Sequence, residues 1–156
     1  MKKSTLILLT FVPMIVGWLV NALLILPVIG MLGFYVLPLL TTVFWFCLGK
    51  QYARSNWKPI PAICIGNAAG IVSVLIYIWQ FVFETDETRN IALAVASQMF
   101  SAATPMYLFG SLAILFESQP NYVGRTAMVA MHVISIIYMT AVFTVAFFTE
   151  KKRMQS

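Results

Sequence analysis

Four polar side chains sit inside long apolar runs: Asn21, Asn67, Gln98 and His132. Facing lipid, each of them is costly, so each is expected to point inward. Two uses follow from their chemistry. The first is a hydrogen bond between neighbouring helices, worth about 0.6–2 kcal/mol. The second is the lining of a path for a small solute. Tyr107 and Tyr138 extend this polar set.

Other chemistries lack their parts. The five carboxylates Glu84, Asp86, Glu87, Glu117 and Glu150 all fall in loops or at the ends of apolar runs. Cation- or proton-coupled transport commonly uses a carboxylate inside the membrane. With one histidine and no HExxH, a zinc-hydrolase centre cannot be assembled. A Ser–His–Asp triad would need His132 to leave its span and meet a loop carboxylate. Cys47 and Cys64 form no CxxC and read as free thiols. Met128, Met131 and Met139 suggest thioethers along the last run, where flexible packing is the ordinary role. The acidic stretch Glu84–Asp86–Glu87 could attract a cation, but its spacing is not that of an EF-hand. No catalytic residue, cofactor or metal site is assigned, and the chain is read as non-enzymatic.

The stretch "IGNAAG", residues 65–70, raises the question of a phosphate loop. Such a loop joins a strand to a helix and needs GxxxxGK[ST] or GxGxxG. Here the spacing is GxxxG, no lysine follows, and the flanks are apolar. Ala62, Gly66 and Gly70 recur every fourth residue, so they share one helix face. Small residues let helices approach closely where lipid offers no hydrophobic contrast. That face is expected to pack against another helix of the chain or against a second copy. Asn67 is rotated about 100° from it and reaches sideways.

These residues must be positioned by membrane helices. The chain has 156 residues, 61% hydrophobic and only 10% charged, with mean hydropathy +0.90. A soluble domain carries about 25% charged residues, so lipid is the expected solvent. Apolar runs cover about Thr5–Leu26, Met31–Gly49, Ile60–Phe83, Ile91–Phe116 and Thr126–Thr149. The first follows Met-Lys-Lys-Ser but lacks an A-x-A-like end, so an uncleaved span is expected rather than a signal peptide. Pro13, Pro38 and Pro105 lie inside runs and mark kinks. Trp45, Trp57, Trp79 and Tyr77 are expected at interfaces, and Trp18 against a neighbouring helix.

The fold class is therefore all-α, a polytopic transmembrane bundle of five spans forming a single integral membrane domain over residues 1–156. The alternative is four spans plus a re-entrant fourth segment, broken at Pro105. Charge separates the two. With five spans and the N-terminus inside, Lys2, Lys3, Lys50, Arg54, Lys58 and Arg125 are cytoplasmic, while Arg89, Lys151, Lys152 and Arg153 are outside. A re-entrant fourth segment moves the tail inside and gives eight against two, closer to the positive-inside rule. The two topologies also give His132 different neighbours: Asn67 with five spans, Gln98 with the re-entrant segment.

The leading functional expectation is an accessory or assembly subunit of a cell membrane, acting through helix packing with a homo-oligomeric or membrane partner. The alternative is a small-solute transporter or oligomeric pore lined by Asn21, Asn67, Gln98 and His132. The basic loop, residues 50–58, suits anionic lipid headgroups. No basic face for nucleic acid is visible. The short loops suit a bacterial cytoplasmic membrane.

Overall fold

Pro13 sets the first structural event. It lacks an N–H, and its ring opposes the carbonyl four residues earlier. The computed structural model, which describes residues 2–116 and 123–155 (for Tyr107, Ser111, Ala113 and Ile114 the backbone alone), accordingly starts with two helices, α1 (Lys3–Leu9) and α2 (Val12–Leu23). At the joint, the Thr10 hydroxyl donates to the Ile7 carbonyl at 2.7 Å. Pro27 opens α3 (Pro27–Arg54), which passes through Pro38 without a break. Pro59 opens α4 (Pro59–Ile78), which ends in a π turn, Trp79–Phe83. Then follow α5 (Ile91–Ala102), α6 (Met106–Ala113) with a 3₁₀ turn at Ile114–Phe116, and α7 (Arg125–Arg153). The side chain of Tyr107 and the loop residue Glu117, both weighed above, lie outside the described residues.

Among the described residues, four helical stretches are long and apolar enough to cross a bilayer: Lys3–Leu23 (α1 with α2), Pro27–Arg54, Pro59–Phe83 and Arg125–Arg153. Their outward faces carry Ile15, Trp18, Leu32, Val43, Ile60, Leu75 and Ile137, all exposed. Such a surface suits lipid and not water. Helix length and hydropathy thus describe a multi-pass membrane protein.

The expected fifth span is not confirmed. Ile91–Phe116 is no single helix: α5 has 12 residues and stops at Ala102. Thr104 and Pro105 interrupt it before α6 begins. The physical reason lies in "SAATP". Pro105 removes a donor and disfavours helix at the residue before it. The Ser101 carbonyl, for which Pro105 offers no N–H, accepts instead from the Thr104 backbone N–H at 2.9 Å and from the Thr104 hydroxyl at 2.6 Å.

α3 and α7 form the centre of the bundle and run parallel. Thr42 meets Tyr138 at 3.5 Å near their middles, and Arg54 meets Glu150 at 2.8 Å at their ends. Between these, Gly49 approaches the backbone of Phe143, where an added Cβ would stand 2.6 Å from the carbonyl oxygen. Trp45, Tyr52, Phe100, Phe143 and Phe147 fill the space around them, all buried. α4 runs opposite to α7: Gly66 faces the Phe143 ring, Gly70 faces Ile136, and Tyr77 faces His132. α5 runs opposite to α4, from Asn90 beside Gln80 to Phe100 beside Gly70. It therefore descends only to the middle of α4.

Two aromatic expectations are corrected. Trp45 is not interfacial: it is fully buried and its indole N–H donates to Asn67. A ring with one donor is readily buried once an acceptor is present. Trp18 does not pack inward, because it is 64% exposed on the outer face of α2.

Candidate functional site

His132 lies about two turns in from Arg125, the first residue of α7. It is only 2% exposed. Its Nδ1 is 2.8 Å from the Met128 carbonyl oxygen. A carbonyl can only accept, so Nδ1 carries the proton and Nε2 presents a lone pair. Nε2 is buried and has no hydrogen-bond partner among the described residues. The ring lies flat on Tyr77, centroids 3.7 Å apart and planes 14° apart. Tyr77 stacks in turn on Phe81 at 4.5 Å, and the Arg89 guanidinium covers Phe81 at 4.7 Å. Arg89 is held by Asp86 at 2.8 Å and by the Gln80 carbonyl at 2.9 Å. A continuous column thus leads from the acidic loop, residues 84–90, to the imidazole.

The other side of His132 faces a cavity of about 160 Å³. Asn21, Gln98, Thr104, Met106 and Met128 line it, with Phe34 at its wall. Five helices contribute, and the break between α5 and α6 forms part of the lining. Gly17 makes this convergence possible. A Cβ there would collide with the Met99 carbonyl, so α2 and α5 touch backbone to backbone. One turn later, Asn21 is thereby set against α5. Its amide donates to the Gly17 carbonyl at 2.9 Å and to the Met99 sulfur at 3.9 Å. Gln98 donates to the Ala94 carbonyl at 3.1 Å. Thr104 also meets Ser135 of α7 at 3.0 Å, tying the break to the central helix.

The four polar candidates therefore divide. Asn21, Gln98 and His132 share one cavity, but Asn21 is exposed at its rim and not turned inward as expected, Gln98 is half-buried and His132 is buried. Asn67 lies elsewhere: its Oδ1 accepts from the Trp45 indole at 3.2 Å, and its amide donates to the Ile63 carbonyl at 2.9 Å. His132 is thus brought beside Gln98 and not beside Asn67. Ala62, Gly66 and Gly70 are all buried. An added Cβ at Gly66 would stand 2.5 Å from the Phe143 ring, and one at Gly70 would meet Ile136 and the Phe100 ring. This face makes room for aromatic rings of the same chain. Approaches to backbone occur at Gly17, Gly30 and Gly49 instead. Sequence reasoning singled out neither Gly17 nor Gly49 for packing. Tyr77, expected at an interface, is instead buried against His132, and Thr104 is a further site residue to which sequence reasoning gave no role. The one available hint was Thr104 preceding a proline.

The opposite end of the bundle is basic. Lys3 stands over the Trp57 ring at 4.9 Å, which brings the chain's start to the loop between α3 and α4. Asn56, Trp57, Lys58, Lys151, Met154 and Gln155 line a shallow pocket of about 420 Å³. Lys2, Lys3, Lys50, Arg54, Lys58, Lys151, Lys152 and Arg153 thus gather at this end, while Arg89 and Arg125 lie at the other. Cys47 and Cys64 are free and exposed.

Comparison with protein-family models, with curated proteins and with solved structures finds no match to this chain.

Proposed function

We propose that this chain is a four-span membrane protein whose re-entrant fourth segment builds a binding site for a small solute. The observation that carries the reading is the buried, unpartnered Nε2 of His132 at a mostly apolar cavity that Asn21 and Gln98 also line, next to the break at Thr104–Pro105. Broken helices at membrane depth are tolerated where protein shields them or a wet cavity receives them. They are also a recurrent way to form solute sites near the middle of the membrane.

Several features support the topology. α4 ends and α7 begins at the end carrying the acidic loop, so residues 91–116 enter and leave by that end. Eight basic residues at the opposite end make it the cytoplasmic one, with both termini inside. Anionic headgroups suit the lysines of that end. The cavity then opens toward the outer half. Among the described residues its lining holds no carboxylate and no cysteine, which suits binding and passage. The Gly66–Gly70 face is filled by rings of the same chain, so it supplies no surface for an assembly partner.

Solvent access tests the reading. In a Cys47→Ser/Cys64→Ser background, Gln98→Cys is expected to react with a small hydrophilic thiosulfonate added outside intact cells. Ala68→Cys, on the exposed face of α4, is expected to stay unlabelled. Equal silence of both cysteines would contradict a wet cavity at Gln98.

A further inference from the structure

The cavity at His132 is unbalanced in hydrogen-bonding type, and the imbalance specifies a ligand. Asn21 directs its amide nitrogen to the Gly17 carbonyl and the Met99 sulfur, which leaves Oδ1 as an acceptor. Gln98 places its nitrogen on the Ala94 carbonyl, which leaves Oε1 and one N–H. Both nitrogens are fixed by their carbonyl partners, since a carbonyl only accepts. His132 adds the Nε2 lone pair. The Thr104 hydroxyl is engaged with Ser101 and Ser135. Among the described polar side chains of this mostly apolar lining, three acceptors and a single donor are thus left unengaged within the protein.

Resting on the solute-site reading above, we infer that this cavity takes a small, uncharged primary amide or urea. Such a molecule donates several N–H groups and accepts through one carbonyl, matching the lining. An anion finds almost no donors here. A cation finds no carboxylate among the described lining residues. Burying either charge unpaired is costly. The volume sets the size. About 160 Å³ corresponds to about five waters at roughly 30 Å³ each, which admits a planar solute of the size of urea.

The chain contains one histidine, so ¹⁵N-histidine labelling reports on this site alone. Full-length protein in lipid nanodiscs is titrated with urea, acetone, methylammonium and formate. Acetone has the shape of urea and no donors. Urea is expected to shift the Nε2 resonance saturably, with the other three much weaker. Gln98→Leu is expected to weaken the urea response about three- to tenfold, the loss of one hydrogen bond. Should Gln98→Leu fail to fold, Gln98→Met keeps the length of the side chain and serves the same comparison. An acetone response equal to that of urea overturns the inference. So does a preference for methylammonium or formate, while the solute site itself stands. No response to urea, with Gln98→Cys labelled from outside, overturns the inference alone. No response together with no labelling overturns both.

Discussion

The imidazole of His132 lies flat on the phenol ring of Tyr77, with ring centroids 3.7 Å apart. The pair joins α7 to α4 at the depth of the cavity, and it holds the one histidine in a single orientation. Met128 fixes the ring from its own helix, and Tyr77 fixes its plane from across the bundle. Nε2 is thereby left free to act as an acceptor.

Removing the stacked ring releases the imidazole. Tyr77→Leu is expected to lower stability by about 1 kcal/mol beyond the loss of packing area, the usual worth of a ring pair. It is also expected to broaden the Nε2 resonance. Tyr77→Phe preserves the stack and leaves the resonance sharp. Thermal unfolding in detergent and ¹⁵N spectra of the labelled histidine check both effects.

Glycine positions separate close approach from mere presence. Gly17→Val places a side chain against the Met99 carbonyl and is expected to abolish the folded protein, as judged by monodisperse elution in mild detergent. Gly49→Val acts likewise against Phe143. Gly110 in α6 has nothing within reach of an added Cβ. Gly110→Ala is therefore expected to be neutral or to stabilise by about 0.5–1 kcal/mol through helix propensity. Gly70→Leu is expected to disrupt folding, because Phe100 and Ile136 occupy the space.

Asn67 and Trp45 form a polar pair inside an apolar core. Asn67→Leu leaves the Trp45 N–H without its acceptor, and Trp45→Phe leaves the Asn67 oxygen without its donor. Each single change is expected to destabilise. The double-mutant cycle is expected to show a coupling of about 0.6–2 kcal/mol. Because the pair lies outside the cavity, Asn67→Leu should not alter labelling of Gln98→Cys. Altered labelling would place Asn67 in the path.

Much of the architecture was legible from residue types. The apolar runs located four long helices. The cap of α5 was not read: Asn90, grouped with the acidic loop, accepts from the Leu93 N–H at 3.1 Å. The break near Pro105 was legible as an alternative only, since 26 apolar residues also suit a full span. Hydropathy sums over the run and is blind to the local effect of one proline and one threonine. Of the polar candidates, Asn21, Gln98 and His132 converge, while Asn67 does not. Which helix each one faced depended on Gly17 and on the parallel packing of α3 with α7, and both are tertiary facts. The Arg54–Glu150 ion pair joins residues 96 apart in the chain, a pairing that no local pattern announces.

That pair predicts proximity of the tail to the basic loop. With Cys47 and Cys64 replaced by serine, Lys58→Cys and Lys151→Cys line the same pocket. They are expected to be joined efficiently by a short bifunctional maleimide in native membranes. Lys58→Cys with Thr88→Cys, at opposite ends of the bundle, is expected to remain unjoined. Mass spectrometry of the digested protein reads the result.

The side of the membrane on which the tail lies tests the central claim most directly. Fusions of green fluorescent protein and of alkaline phosphatase at the C-terminus are compared with fusions in the loop at residues 84–90. Four crossings with a re-entrant segment predict a fluorescent, phosphatase-inactive tail and a phosphatase-active loop. A phosphatase-active, non-fluorescent tail would establish an odd number of crossings and contradict the account.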